Sequence, residues 1–170
     1  MELAAKYQSV ILSTDYMFVN SILFFKTYSR DIRFITSRQQ DLKTGLTKQA
    51  MKSMNAYYVM RGFKIVELRA DQKFEPAQAA LSGMQIEMDG YVRDEHIPEI
   101  ECLNKTIKER IWYVYTELIL VYVRVPRVLV RKLVYAITFW PNSFPVKYGI
   151  SATMRPQAII TGQSIEFNNH

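Results

Sequence analysis

Three carboxylates stand where they could work together. Asp15 interrupts the apolar end of a β-branched and aliphatic run, S-V-I-L-S-T-D-Y at 9–16. A carboxylate on such a strand is costly to bury unless it is paired or metal-bound; otherwise it is a turn-former or a salt-bridge partner. Asp71 follows directly on a second run, F-K-I-V-E-L-R-A at 63–70. Ligand groups in α/β sheets gather at the carboxyl ends of strands, although Asp is also common at any strand-to-loop junction. Glu101 heads a short basic ladder within D-E-H-I-P-E-I-E-C-L-N-K-T-I-K-E-R-I-W at 94–112. At about 100° per residue, Glu101, Lys105, Lys108 and Trp112 share one helix face. Three carboxylates can hold two divalent cations about 3.5–4 Å apart, a pair that drives phosphodiester displacement by activating a water or a 3′-hydroxyl. Mg²⁺ suits such all-oxygen ligands. As bare residues the triple is unspecific, and Glu101–Lys105 equally suits an ordinary surface helix.

The elements that must position these groups are legible from periodicity. The run 9–16 reads as a strand, Asn20-Ser21 as a hairpin turn, and 23–28 and 33–36 as two further antiparallel strands. Residues 44–61 carry Leu46, Ala50, Met54, Tyr57 and Tyr58 on one side, an amphipathic helix capped by Gly62. The run 63–70 follows a helix and is therefore expected parallel to the first strand. Residues 76–83 read as a short helix or loop, 84–88 as a short strand, and 90–95 as a polar loop. Pro98 suits a first helical position, and Ile100, Leu103, Ile107, Ile111 and Val114 form the stripe that helix should bury. Residues 118–140 read as a strand or loop followed by a buried amphipathic helix, with Pro126 suited to its first turn and Pro141 and Pro145 ending it. The stretch 149–162 reads as an irregular tail.

Composition narrows the class. The chain has 170 residues, 49% hydrophobic and 22% charged, as a single globular domain would. Its net charge of +6 suits an acidic partner such as nucleic acid. One cysteine, Cys102, and two histidines, His96 and His170, exclude an internal disulfide and a Cys/His zinc module. No signal peptide is visible, and an intracellular setting is expected. Residues 118–140 are apolar but contain Arg124, Arg127, Arg131, Lys132 and Pro126. Cations in mid-span cost roughly 2.5–3.5 kcal/mol each, so no membrane segment is expected.

Strand, hairpin, strand, strand, helix, strand, helix is the order of a ribonuclease-H-like α/β fold, a mixed sheet flanked by helices. More specific words surround the acids: T-D-Y-M-F-V-N at 14–20, R-G-F-K-I at 61–65, D-Q-K-F-E at 71–75, D-E-H-I-P-E-I-E at 94–101, K-T-I-K-E-R at 105–110, F-W-P-N-S-F-P at 139–145 and G-I-S-A-T-M-R-P-Q-A-I-I-T-G at 149–162. In this order the chain resembles the integrase catalytic core of copia-like retrotransposon polyproteins of the algal and diatom type, within the retroviral integrase superfamily. The resemblance implies a core over 9–162 between tails at 1–8 and 163–170, acting in DNA strand transfer. It implies Asp15, Asp71 and Glu101 as catalytic and metal-binding residues for Mg²⁺ or Mn²⁺. Lys105, Lys108 and Arg110 would contact DNA, that of retroelement ends and of the target, and an active protein would work in the nucleus.

Departures from that pattern are equally plain. Only 29 residues separate Asp71 from Glu101, a short interval for the superfamily. Gln72 and Lys73 stand where a small residue and an acid are usual, Cys102 where Arg is usual, and Pro141 where Leu is usual. Residues 116–125 are apolar where a polar loop is usual; they are expected to aggregate when exposed or to pair in a homodimer. Two further readings therefore stand beside an active core. One is a catalytically dead relic that keeps the fold and weak nucleic-acid binding or dimerisation; the other is an unrelated basic α/β interaction domain. Within the triad, Glu99 and Glu101 lie about 200° apart on the helix and cannot both face one metal. Glu101, on the lysine face, is the expected ligand; Glu99, in the first turn, has a sufficient role against the helix dipole.

Overall fold

The computed structural model describes residues 7–40, 45–90 and 98–162. Asn20 and Ser21 set the first corner, both at positive φ, 46° and 60°. That two-residue geometry matches the twist of a hairpin. It joins β1 (Ser9–Val19) to β2 (Ile22–Ser29), antiparallel from Val19↔Ile22 to Leu12↔Ser29. A second turn, closed by the Arg33 N–H on the Ser29 carbonyl at 2.8 Å, leads into β3 (Ile35–Gln40). Helix α1 (Gly45–Val59) then crosses the sheet, and Gly62, at φ 81°, reverses the chain into β4 (Lys64–Ala70). β4 pairs parallel to β1. A 3-10 turn (Gln72–Ala77) and a short helix α2 (Gln78–Ser82) lead to β5 (Glu87–Gly90), parallel to β4. The sheet order is β3-β2-β1-β4-β5. Three helices follow: α3 (Pro98–Val121), α4 (Arg127–Asn142) and α5 (Pro156–Thr161).

Side-chain alternation along the strands divides the interior into two layers. One face of the sheet sends Val10, Leu12, Phe25 and Ile65 against Met51 and Tyr58 of α1, Phe74 of the 3-10 turn and Ile160 of α5. The other sends Met17, Ile22 and Phe24 against Ile100, Ile107 and Ile111 of α3 and Val130 and Val134 of α4. Asp15 belongs to this second face, because it shares the parity of Met17. β3 is a sheet edge, and α4 covers it with polar groups. The Asn142 amide accepts from the Ile35 N–H at 2.9 Å and donates to the Ile35 carbonyl at 2.7 Å.

Several expectations need correction. β3 begins at Ile35 and not at residue 33, because Arg33 at φ 64° belongs to the turn. β1 runs on to Val19 and β5 lies at Glu87–Gly90, two residues later than the expected strand at its far end. The expected strand or loop from 118 is instead the last turn of α3, which continues without a break to Val121. The Tyr122 N–H still closes on the Leu118 carbonyl at 2.9 Å, so up to this point the apolar run is helix and not an open strand edge. In the α3 stripe Val114 is exposed and Asn104 is buried. α4 continues through Pro141 to Asn142, and its Phe139 and Trp140 are exposed, not buried. The expected irregular tail contains α5, whose Ile160 is fully buried and whose end is a left-handed Gly162. Residues 1–6, 41–44, 91–97 and 163–170 lie outside the described residues, and with them most of the expected 90–95 loop and the C-terminal tail. Among the described residues no helix is long and apolar enough to cross a membrane.

Asn142→Ala strands the buried N–H and carbonyl of Ile35 without partners. The expected loss of stability is about 2–4 kcal/mol, read by urea unfolding. A loss below about 0.5 kcal/mol would mean that the edge strand does not depend on the amide.

Candidate active site

The register of β1 with β4 builds the site. The last ladder pair is Thr14↔Ala70, so the next residues of these neighbouring parallel strands are Asp15 and Asp71. Asp15 is half-buried and fixed by two donors. The Tyr16 N–H reaches its Oδ1 at 2.7 Å, and the Asn104 Nδ2 of α3 reaches its Oδ2 at 2.8 Å. Burial raises the Asp15 carboxyl above its ordinary range; the Tyr16 N–H, Lys73 and Asn104 oppose the rise, and Asp71 adds to it. Asn104 is one helical turn beyond Glu101, so the bond that docks α3 on Asp15 also brings Glu101 over the same end of the sheet. Glu101 is exposed there.

Asp71 starts the 3-10 turn. Its carbonyl accepts the Phe74 N–H at 2.9 Å, and its Oδ2 accepts Lys73 Nζ at the same distance. Phe74 is driven into the opposite face, stacked on Tyr16 at 4.6 Å between centroids. Asp15 and Lys73 are thus the chain neighbours of two stacked rings. The Lys73 ammonium is held above the usual lysine value by its hydrogen bond to Asp71; Asp71, Asp15 and Glu101 all add through space.

A second lysine lies beneath. Lys26 is the cross-strand partner of Asp15 on β2 and is fully buried. Its Nζ has no hydrogen-bond partner, and neither has Asn104 Oδ1. Burial pushes Lys26 down to about 7, with Asp15 opposing and Lys108 reinforcing the shift. Lys105 and Lys108 are exposed on the Glu101 face of α3, as the periodicity predicts. Arg110 is not with them: it lines a groove between α3 and α4 with Tyr113 and Trp140. Glu99 also points elsewhere, pairing with Arg30 at 3.0 Å.

The donor chemistry of Asp15, Asp71 and Glu101 suits a hard divalent cation, but their arrangement does not fit one. Among the described residues no three His, Cys, Asp or Glu side chains are placed to hold a metal ion, and Lys73 holds one Asp71 oxygen. Asn104, Lys26 and Lys73 were all missed as site residues. Two had a signal: Lys26 mirrors Asp15 across the Asn20-Ser21 turn, and Asn104 interrupts an apolar stripe. Lys73 was noted only as a departure after Asp71.

No protein-family model and no curated protein sequence matches the chain. Solved structures do match in fold. One is the crystal structure of the catalytic core domain of BIV integrase, at TM-score 0.59 and 11% identity, over 89% of this chain and 93% of that one. The fold is therefore that of a ribonuclease-H-like integrase core, a mixed five-stranded sheet flanked by helices.

Lys26 carries a pH dependence. The folded chain holds it near 7, against an ordinary lysine value of 10.5. Between those values the unfolded state binds more protons, so stability rises with pH across this window, by at most about 1.4 kcal/mol per unit. The cost of charging Lys26 is complete below pH 7. In Lys26→Met that rise should vanish, so urea unfolding at pH 7, 8.5 and 10 should show the wild type gaining on the variant. Parallel pH profiles would mean Lys26 stays charged in a wet site.

Proposed function

We propose that the chain is an integrase-type core of a retroelement, acting on DNA in strand transfer or phosphodiester cleavage. What supports this is the register that sets Asp15 beside Asp71 at the end of the β1–β4 pair, with Asn104, one turn beyond Glu101 on α3, bonded to Asp15. Integrase-like topology supports it. The roles follow from position. Asp15 and Asp71 are the paired acids of the sheet, and Glu101 closes the cluster from α3. Lys105 and Lys108 lie further along that helix face, where they would seat a DNA phosphate. The copia-like origin, the requirement for Mg²⁺ or Mn²⁺ and work in the nucleus belong to this reading. No chemical step is assigned to the metal, since the present arrangement does not cage one.

A second reading has its own observation. The Lys73–Asp71 ion pair and the lack of a three-ligand cage among the described residues favour a silent core that still binds nucleic acid. Self-association fits either reading. Leu120, Val121 and Val123 are 81%, 75% and 109% exposed, and contiguous apolar surface of this kind marks contact sites.

Two measurements decide. Purified chain is incubated with Mn²⁺, supercoiled plasmid and a labelled duplex oligonucleotide. Nicking or covalent joining is expected, and it should disappear in Asp15→Asn, Asp71→Asn and Glu101→Gln with unchanged circular dichroism. Binding without cutting selects the silent core, and neither binding nor cutting rejects both. For binding itself, Lys105→Ala with Lys108→Ala should reduce the salt slope of log K by up to about 1.8, at roughly 0.9 per phosphate contact. An unchanged slope would make the two lysines a solvated face only.

A further inference from the structure

We propose that the groove between the β1–β2 hairpin tip and the second half of α3 holds one unpaired nucleobase, stacked on Trp112. The inference rests on the DNA-acting reading above and names the part of that partner which is gripped by its base. Phe18, Asn20, Lys108, Ile111, Trp112 and Tyr115 line the groove, a cavity of about 450 Å³. That volume falls within the range of pockets for small ligands. Its floor is firm, because Val19 and Ile111 are buried in the core beneath. Its walls offer flat rings. Trp112 and Tyr115, one turn apart on α3, are stacked with centroids 6.1 Å apart and planes 20° apart. Trp112 is 65% exposed, and Phe18 on the hairpin side is 54% exposed. Ring area is thus left in water that a planar ligand would cover.

The charges beside the rings select the occupant. Lys105, Lys108, Trp112 and Tyr115 recur at helical spacing and share one face of α3. Along the axis Lys108 lies about 6 Å and Lys105 about 10 Å from Trp112, at 1.5 Å per residue. Both lysines are exposed. They stand where the phosphates of a base stacked on Trp112, and of its neighbour, would fall. A basic track beside stacking rings holds single strands without reading sequence, because every base has a π-face. The interior of a duplex has no free base face, so the groove selects an unpaired end, a gap or a flipped nucleotide. Glu109 also lines the groove. It repels a phosphate, which leaves the backbone on the lysine side and the base inside. A second copy of the chain is a poorer match, since its own net charge of +6 opposes a lysine-bearing face.

The test uses Trp140→Phe as its parent protein, which leaves Trp112 as the single tryptophan reporter. A short oligothymidylate, an abasic strand of the same length and a blunt duplex are titrated at one salt concentration. Oligothymidylate should quench Trp112 fluorescence, and neither the abasic strand nor the duplex should. It should also bind roughly 5- to 150-fold more tightly than the abasic strand, the range of one stacked base. In Trp112→Leu, followed by anisotropy of labelled strands, that advantage should disappear while the salt slope of binding stays unchanged. Leucine keeps an apolar group at an exposed position and removes the ring. Circular dichroism checks the fold, and Phe18→Leu repeats the test from the hairpin side. Equal affinity of the parent protein for oligothymidylate and the abasic strand would overturn base stacking and leave the DNA-acting reading standing. A change from dimer to monomer in sedimentation on Trp112→Leu would also overturn it, by making the groove a contact between copies. No binding of any of the three nucleic acids would overturn both the stacking site and the DNA-acting reading.

Discussion

The pairing of β1 with β4 is the constraint on which the site depends. Parallel strands in this register set two aspartates side by side at the point where the ladder ends. Burial raises the Asp15 carboxyl above its ordinary range, and the charge of Asp71 beside it adds to the rise. Every polar feature nearby answers that problem. The Tyr16 N–H and the Asn104 amide each take an oxygen of Asp15, and Lys73 takes one of Asp71. The opposite face supplies the rigidity: Tyr16 and Phe74, the chain neighbours of Asp15 and Lys73, stack in the larger core.

Helix α3 links this cluster to the rest of the molecule. Its buried row, Ile100, Ile107 and Ile111, fastens it to the β1–β2 face. Asn104 lies in that same row and reaches Asp15. One docking event therefore seats both the apolar stripe and the polar contact, and the position of Glu101 follows from both. Glu99 is committed to a different task. Its pairing with Arg30, beyond the end of β2, ties the first turn of the helix to the sheet. The 200° between the two glutamates is what lets one helix turn serve both ends.

Much of the fold was legible because it follows from local pattern. The hairpin at Asn20-Ser21, the parallel return at β4 and the cap at Gly62 each rest on a short signal with a backbone cause. The failures share another cause. A continuous apolar run such as 118–123 has no period to separate strand from helix, and only the docked first half of α3 decides that it is helical. Pro141 does not end α4, because the hydrogen bonds of Asn142 to Ile35 on the β3 edge hold the last turn in place. The segment at α5 is too short to show a helical repeat, though its Pro156 and Gly162 are start and stop signals that could have been used. In the site, the acids were visible as residue types. Their counter-charges were not, since Lys26 and Lys73 meet Asp15 and Asp71 through strand pairing and a turn.

Local rules are broken in one neighbourhood above all. Lys26 is a fully buried lysine in the middle of a fully buried strand, and Asn104 is a buried amide in an apolar stripe. Each leaves a polar atom without a partner, Nζ in one and Oδ1 in the other. A buried unpartnered polar atom costs about 1–3 kcal/mol, so a strand and a helix chosen for stability alone would carry apolar residues at both positions. Both costs fall on residues that flank the same carboxylate, one by strand register and one by hydrogen bond. Conflicts between local preference and overall fold concentrate at functional sites. Around Asp15, then, the chain gives up stability on two separate elements to set a buried ammonium and a buried amide donor beside one carboxylate.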